Sequence, residues 1–89
     1  MQDDPLAGQK PEIDYPTSWG YRVVGASESE LRALIAEVLA DEEHEIHGVQ
    51  PSSKGTYVSL RMSVTVRDEL HRDRVYRALS ESAVVKIVL

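Results

Sequence analysis

The 89-residue chain contains no cysteine and no phenylalanine, and its aromatic residues are one tryptophan and four tyrosines. Without cysteine it has no disulfide framework, no thiol nucleophile and no cysteine-ligated zinc. No apolar run approaches the roughly 20 residues that span a membrane. The N-terminal residues do not show the pattern of a signal peptide, which is a basic start followed by an apolar run. These absences predict a soluble, cytoplasmic protein that does not act at a membrane.

Acidic residues outnumber basic ones by fifteen to ten, which gives a net charge of -5. This excess argues against attraction of the whole surface to nucleic acid or anionic lipid. Four of the acids lie in residues 1–14, where one lysine opposes them and few apolar side chains occur. We expect this segment to be a disordered acidic tail, followed by a single domain at 15–89.

Strand and helix periodicities alternate along the domain. Apolar residues two apart predict strands, and apolar residues three and four apart predict helices. Ser27 and Glu30 match a helix-starting capping box, and Asp68 is a suitable N-cap for a second helix. Gly48 indicates a bulge in the second strand. The predicted strands are 19–25, 45–51, 56–66 and 84–89, and the predicted helices are 27–41 and 68–80.

The order strand, helix, strand, strand, helix, strand predicts an α+β fold, the ferredoxin-like βαββαβ two-layer sandwich. Its antiparallel sheet has the order 4-1-3-2 and carries both helices on one face. The other face of the sheet is then open to solvent or to a partner. We therefore look for function on that face.

Strand alternation predicts a basic row across the open face. If Trp19, Tyr21 and Val23 face the helices, Arg22 faces outward. By the same rule Arg61 faces outward on the third strand, with Tyr57 and Ser59 on its side. If Val85, Ile87 and Leu89 face the helices on the last strand, Lys86 completes the row with Arg22 and Arg61.

The segment Ser52-Ser53-Lys54-Gly55 has two interpretations. Its backbone donors, hydroxyls and lysine can form an anion-binding nest. The favoured interpretation is a hairpin turn in which Gly55 supplies a positive φ. It lacks the spacing of a phosphate-binding P-loop.

Catalytic and metal-binding patterns are weak in this sequence. No serine or threonine is spaced so as to pair with a histidine and an orienting group. His44 and His47 lie three residues apart across a helix end, whereas the zinc-binding H-E-x-x-H motif needs four. The isolated histidine of the second helix, His71, is expected to be a partly buried structural residue. The sequence therefore predicts no enzyme, no metal site and no cofactor.

Three motifs resemble the YbeD-like family of small bacterial proteins. They are Tyr-Pro-Thr-Ser-Trp-Gly-Tyr-Arg-Val-Val-Gly at 15–25, Pro-Ser-Ser-Lys-Gly-Thr-Tyr-Val-Ser at 51–59, and Val-Lys-Ile-Val-Leu at 85–89. The resemblance implies a ferredoxin-like domain similar to the ACT-type regulatory domains, which bind small molecules beside metabolic enzymes. It also implies a regulatory link to lipoate metabolism. It brings no catalytic residue and no cofactor.

Together these observations predict a non-enzymatic regulatory or interaction domain, as a monomer or a homodimer. The alternative is an RNA-binding module that uses the same basic face. A polar face without a ligand and an interface between copies also remain open as interpretations. In the leading hypothesis a protein partner or a small anionic metabolite binds to Arg22, Ser52, Ser53, Lys54, Gly55, Tyr57, Ser59, Arg61 and Lys86.

Overall fold

The computed structural model describes residues 13–89 and contains a four-stranded antiparallel sheet with two helices. In chain order the elements are β1 (Thr17–Gly25), α1 (Glu28–Val38), β2 (His44–Pro51), β3 (Val58–Val66), α2 (Glu69–Ser80) and β4 (Ile87–Val88). The sheet order β2-β3-β1-β4 confirms the predicted ferredoxin-like fold. Of the predicted tail at 1–14, residues 1–12 lie outside the described residues.

Both helices begin at the predicted capping residues. The Ser27 Oγ accepts the Glu30 N–H at 3.3 Å, and the Asp68 Oδ1 accepts the His71 N–H at 2.7 Å. These bonds satisfy backbone donors that a helix start leaves without partners. α1 ends at Val38 rather than near 41, because Leu39 leaves the helical conformation. Neither helix is long and apolar enough to cross a membrane.

The hydrophobic core lies between one sheet face and the two helices. Alternate residues of β1 and β3 point inward, as strand geometry requires. The periodic apolar residues of the helices meet them. The buried core residues are Tyr21, Val23, Leu31, Ile35, Leu39, Leu60, Met62, Val64, Val66, Val75, Leu79 and Val88.

The last strand differs from the sequence prediction. β4 is only two residues long, because a turn closed by the Val85 N–H and the Ser82 carbonyl delays its start. Val88 pairs with Val23 and is 5% exposed, whereas Ile87 and Leu89 are 47% and 64% exposed. The prediction that Ile87 and Leu89 face the helices was therefore wrong.

The aromatic residues of the first motif gather around one arginine of α2. The Arg72 guanidinium lies 4.6 Å from the centre of the Trp19 ring, and its Nη1 donates to the Tyr15 hydroxyl at 3.3 Å. The buried Tyr21 hydroxyl donates to the Arg72 carbonyl at 2.8 Å. The motif thus fastens the start of β1 to the first turns of α2, with a cation–π contact among its bonds.

The two glycines of β1 give a matched test of packing. A Cβ on Gly25 would lie 2.5 Å from the Val84 carbonyl oxygen and 2.8 Å from a Leu31 side-chain carbon, whereas one on Gly20 would meet nothing closer than 3.9 Å. We expect Gly25→Ala to lower the free energy of unfolding by about 1–3 kcal/mol through overpacking. Gly20→Ala is the control, and chemical denaturation should show it close to wild type. Equal stabilities of the two variants would contradict the close approach at Gly25.

Tyr21 predicts a loss of stability at high pH. Burial raises the pKa of Tyr21 to about 12 from 10.0, with Arg72 opposing the rise. Because the folded state holds this proton more tightly, the resulting stability is complete below pH 10 and is lost as the pH rises to 12. We compare the free energy of unfolding of the wild type with that of Tyr21→Phe, which lacks the titrating hydroxyl. Between pH 9 and 12 the wild type should lose about 2–3 kcal/mol relative to the variant, as denaturation curves would show. A constant difference over that range would contradict the burial of this hydroxyl.

Candidate functional site

The open face is the side of the sheet that the helices leave uncovered. It is built from the residues that alternate with the core positions of each strand. The register places these residues on it: Ser18, Gly20, Arg22, Val24, Glu45, Gly48, Gln50, Ser59, Arg61, Ser63, Thr65, Ile87 and Leu89. The face is polar at its centre, with an apolar margin at β4.

Arg22 and Arg61 lie at the centre of the open face and are directly opposite each other on β1 and β3. Both are exposed. Within residues 13–89 neither guanidinium has an ion pair or a side-chain hydrogen bond. Like charges directly opposite each other destabilise a strand pair. Two exposed arginines on neighbouring strands, without carboxylate partners, form a natural site for an anion.

Two glycines beside the arginines have no side chains, so they leave the surface around Arg22 and Arg61 uncovered. Gly20 is two residues before Arg22, and Gly48 is the register partner of Arg61. A Cβ on Gly48 would lie 2.9 Å from the Arg61 Nη2, so the guanidinium passes over the space that this glycine leaves. His47 is the extra residue of the predicted bulge, where the register shifts. Sequence patterns identified the bulge but not its role in seating Arg61.

A shallow depression of about 630 Å³ surrounds the arginine pair. Leu89 lies at one side of it, and Glu45, His47 and Ser63 lie at the other. The His47 Nε2 is 2.7 Å from the Ser63 Oγ, a pairing that the sequence spacing did not reveal. Both groups are on an open surface, and no residue of the described chain bonds the other ring nitrogen of His47. The pair therefore lacks the orienting group of a catalytic triad.

A second depression of about 290 Å³ joins the loop after β2 to the open face. It is lined by Ser52, Ser53, Tyr57, Ser59 and Arg22, together with neighbouring residues. The structure thus brings five of the predicted site residues together. Arg61 adjoins them through Arg22, its partner in the strand register.

The loop itself is a tight turn. The N–H of Gly55 donates to the Ser52 carbonyl at 3.0 Å, and the N–H of Tyr57 reaches the Ser52 Oγ at 3.3 Å. Gly55 has a φ of 71°, which confirms the expected positive φ. Because these two N–H groups bond within the loop, they are not available to an anion. The turn interpretation is the better one for Gly55.

Three predicted residues lie outside the arginine site. Lys54 and Gly55 line neither of the two depressions. Lys86 lines a separate depression of about 240 Å³ with Glu30 of α1. The expectation that Lys86 extends the basic row was wrong, because Leu89 pairs with Arg22 and Ile87 with Val24. The basic row is therefore a pair.

His71 forms a separate polar cluster below the sheet. It is 3% exposed, and its Nδ1 accepts the Arg67 N–H at 3.0 Å. The acceptor role of Nδ1 places the proton of the neutral ring on Nε2. That atom lies 3.1 Å from a Glu42 carboxylate oxygen, off the line of a good hydrogen bond. Glu42 also pairs with the Arg67 guanidinium at 3.4 Å. The cluster ties the loop after α1 to the start of α2.

The histidines near β2 do not converge on a metal site. The His44 Nδ1 is 2.9 Å from the Glu42 carbonyl oxygen, and the His47 ring contacts Ser63. The described part of the chain contains no group of three histidine or carboxylate side chains placed to hold a metal ion.

Comparison with known proteins gives a consistent family. A family model described as "Protein of unknown function (DUF493)" matches residues 10–89. The chain is 33% identical to a UPF0250 protein of Idiomarina loihiensis over 79 residues, which cover 86% of this chain and 90% of that protein. It is also 33% identical to a UPF0250 protein of Paraburkholderia phymatum, with 86% and 91% covered.

A solved structure shares the fold. The solution structure of protein HP0495 from Helicobacter pylori superposes with a TM-score of 0.72 at 25% identity, covering 100% of this chain and 98% of that one. The sequence matches and the shared fold confirm the resemblance that the three motifs indicated. The chain therefore belongs to the DUF493 family of small bacterial proteins, whose members include the YbeD-like proteins.

Proposed function

We propose that the chain is a non-enzymatic binding domain whose open face takes an anionic group at Arg22 and Arg61. The group is a carboxylate or phosphate, carried by a partner protein or by a small metabolite. The observation that carries the proposal is that two exposed arginines are paired in the strand register, and within residues 13–89 neither has a carboxylate partner. A bound anion would give both guanidinium groups a charge-assisted hydrogen-bond partner.

The surroundings of the pair favour an anion with an apolar body. Leu89 lies beside Arg22, and Ile87 lies beside Val24 on the same face. Ile87 and Leu89 are among the large hydrophobic residues that the structure leaves exposed. The hydroxyls of Ser52 and Ser59 lie at the other side of Arg22 and can add hydrogen bonds.

A regulatory role is the second part of the proposal. It is supported by the resemblance of the fold to ACT-type regulatory domains, which is an analogy of fold rather than of site. The resemblance to the YbeD-like family, which implies a link to lipoate metabolism, makes lipoate a suitable probe, since it is a carboxylate with an apolar chain. In this proposal the domain acts in the cytoplasm, as a monomer or a homodimer, and responds to its ligand by altering a partner.

An enzymatic role receives less support from the geometry. The Ser63–His47 contact is exposed to water and lacks an orienting group among the described residues. The buried His71 bonds to the Arg67 N–H and lies beside Glu42, and within residues 13–89 no hydroxyl is hydrogen-bonded to its ring. Neither arrangement offers the nucleophile, base and orienting group that covalent catalysis combines.

RNA binding remains the alternative for the same face. Sheets that bind RNA stack bases on two or three aromatic rings. Tyr57 is the aromatic residue at this surface in the described chain, and it is half-buried at the sheet margin. One ring is a poor platform for several bases, so RNA enters the proposal as an outcome of its test.

The test follows the Nε–H signals of the arginines by NMR at about 20 mM salt, where surface charges are weakly screened. The probes are inorganic phosphate, lipoate, a hexaglutamate peptide and a hexauridylate RNA. We expect Arg61→Gln to weaken binding about tenfold, the effect of losing one charge-assisted hydrogen bond. Arg74→Gln removes an exposed arginine of α2 and is the matched control, with affinities within about twofold of wild type.

Each probe has a defined meaning. Saturation by phosphate or lipoate identifies a small-molecule site, and saturation by the peptide alone identifies a protein partner. Tight RNA binding that falls steeply with salt would replace the proposal with its alternative. Equal losses in Arg61→Gln and Arg74→Gln would contradict it, because attraction would then follow total charge rather than the arginine pair.

A further inference from the structure

The edge of β1 is only partly covered by β4. All nine residues of β1 pair with β3, from Thr17 opposite Val66 to Gly25 opposite Val58. On the other side β4 pairs with Val23 and Val24, and Leu89 bonds to Arg22. Among the described residues nothing pairs with the outer edge of β1 before Arg22. A central strand of the sheet thus has an exposed edge along half of its length.

The backbone groups at this edge point outward. The Arg22 N–H donates to the Leu89 carbonyl at 3.0 Å, and the Leu89 N–H donates to the Arg22 carbonyl at 2.8 Å. Backbone groups of alternate residues in an antiparallel strand point to the same side. The N–H and C=O of Gly20 and of Ser18 therefore face away from β3. Neither residue has a further partner within residues 13–89.

The opposite edge of the sheet is less suited to another strand. β2 carries a bulge at His47 and ends in Pro51. Bulges and prolines are devices that hinder pairing at sheet edges. The β1 edge has a regular register with β3 and a glycine at its middle. Space around Gly20 is open, since even an added Cβ would be 3.9 Å from its nearest neighbour.

We propose that the β1 edge at Ser18 and Gly20 binds an extended segment of a partner protein as a fifth strand. The segment runs antiparallel to β1, in line with β4, and carries an acidic side chain opposite Gly20. This inference rests on the proposed function, because it assigns the anionic group of the arginine site to a side chain of an added strand. Main-chain hydrogen bonds supply the affinity in such strand addition, and side-chain contacts supply the specificity.

The position of the acidic side chain follows from strand geometry. A residue paired with Gly20 projects onto the open face, as Gly20 itself does. It lies diagonally from Arg22, at about 7–8 Å between Cα atoms, which is within reach of a glutamate and an arginine. Because Gly20 has no side chain, nothing on β1 stands between them. The flanking residues of the added strand turn toward the helix side, beside Trp19 and Tyr21.

The probe for this inference is the peptide acetyl-Glu-Val-Thr-Val-amide, titrated into the whole protein. It begins with the glutamate opposite Gly20, because Leu89 occupies the position opposite Arg22. We expect saturable binding and slower hydrogen exchange of the Gly20 and Ser18 amides in the complex. Ser18→Pro removes an outward N–H, which the β3 ladder does not use, and should weaken the peptide about tenfold. The same variant should bind inorganic phosphate within about twofold of wild type.

A second measurement does not depend on the folding of that variant. N-methylation of the glutamate in the peptide removes its donor to the Gly20 carbonyl, and we expect the same loss with wild-type protein. Equal binding of the methylated and parent peptides, or unchanged exchange at Gly20 and Ser18, would overturn strand addition. If phosphate still binds in an Arg61-dependent way, the anion site is supported and only strand addition is overturned. If phosphate does not bind, the proposed function is overturned as well.

Discussion

The register between β1 and β3 is the constraint on which the rest of the structure depends. Pairing Val23 with Leu60 and Tyr21 with Met62 directs all four side chains into the core. Strand alternation then forces Arg22 and Arg61 outward together. A slip of either strand by one residue would turn its arginine toward the helices and its core side chains toward solvent. The same packing that stabilises the sheet therefore creates the arginine pair.

Arg22 and Arg61 differ from the arginines of this chain that contact a carboxylate or an aromatic ring. Arg72 lies over Trp19 and within 3.4 Å of the Asp73 carboxylate. Arg32 pairs with Glu28 at 2.8 Å, and Arg67 pairs with Glu42 at 3.4 Å. In a chain with fifteen acidic residues, carboxylates are available for such pairing. Their absence from Arg22 and Arg61 leaves a local positive centre on a protein of net charge -5, which can attract an anion that the whole surface would repel.

Much of the fold could be predicted because its core residues recur with clear periods. β3 alternates strictly from Val58 to Val66, and α1 carries apolar residues at helical spacing. These patterns also placed Arg22 and Arg61 correctly. The last strand was different, because residues 84–89 are apolar except for Lys86 and contain no alternation. Only the hydrogen bonds to Arg22 and the pairing with Val23 decide which side chains face the core.

The remaining features depend on contacts that single-residue patterns do not encode. The spacing of Gly48 and Arg61 gives no sign that the guanidinium passes over the glycine. The sequence pattern around the first motif predicts only a strand and the segment before it. In the structure its aromatic residues Tyr15, Trp19 and Tyr21 all contact Arg72, more than fifty residues away. The uncovered edge of β1 follows from the short β4, which a turn at Ser82–Val85 determines. Long-range contacts decided the first two cases, and a local turn decided the third.

An amide chemical-shift map tests the central claim most directly, since it records which surface binds an anion. The ¹⁵N-labelled protein would be titrated with hexaglutamate at about 20 mM salt. The account predicts shifts confined to the open face, strongest near Arg22, Ser59 and Arg61, with α1 and α2 unchanged. Shifts on the arginines of α2, with the open face unmoved, would contradict it.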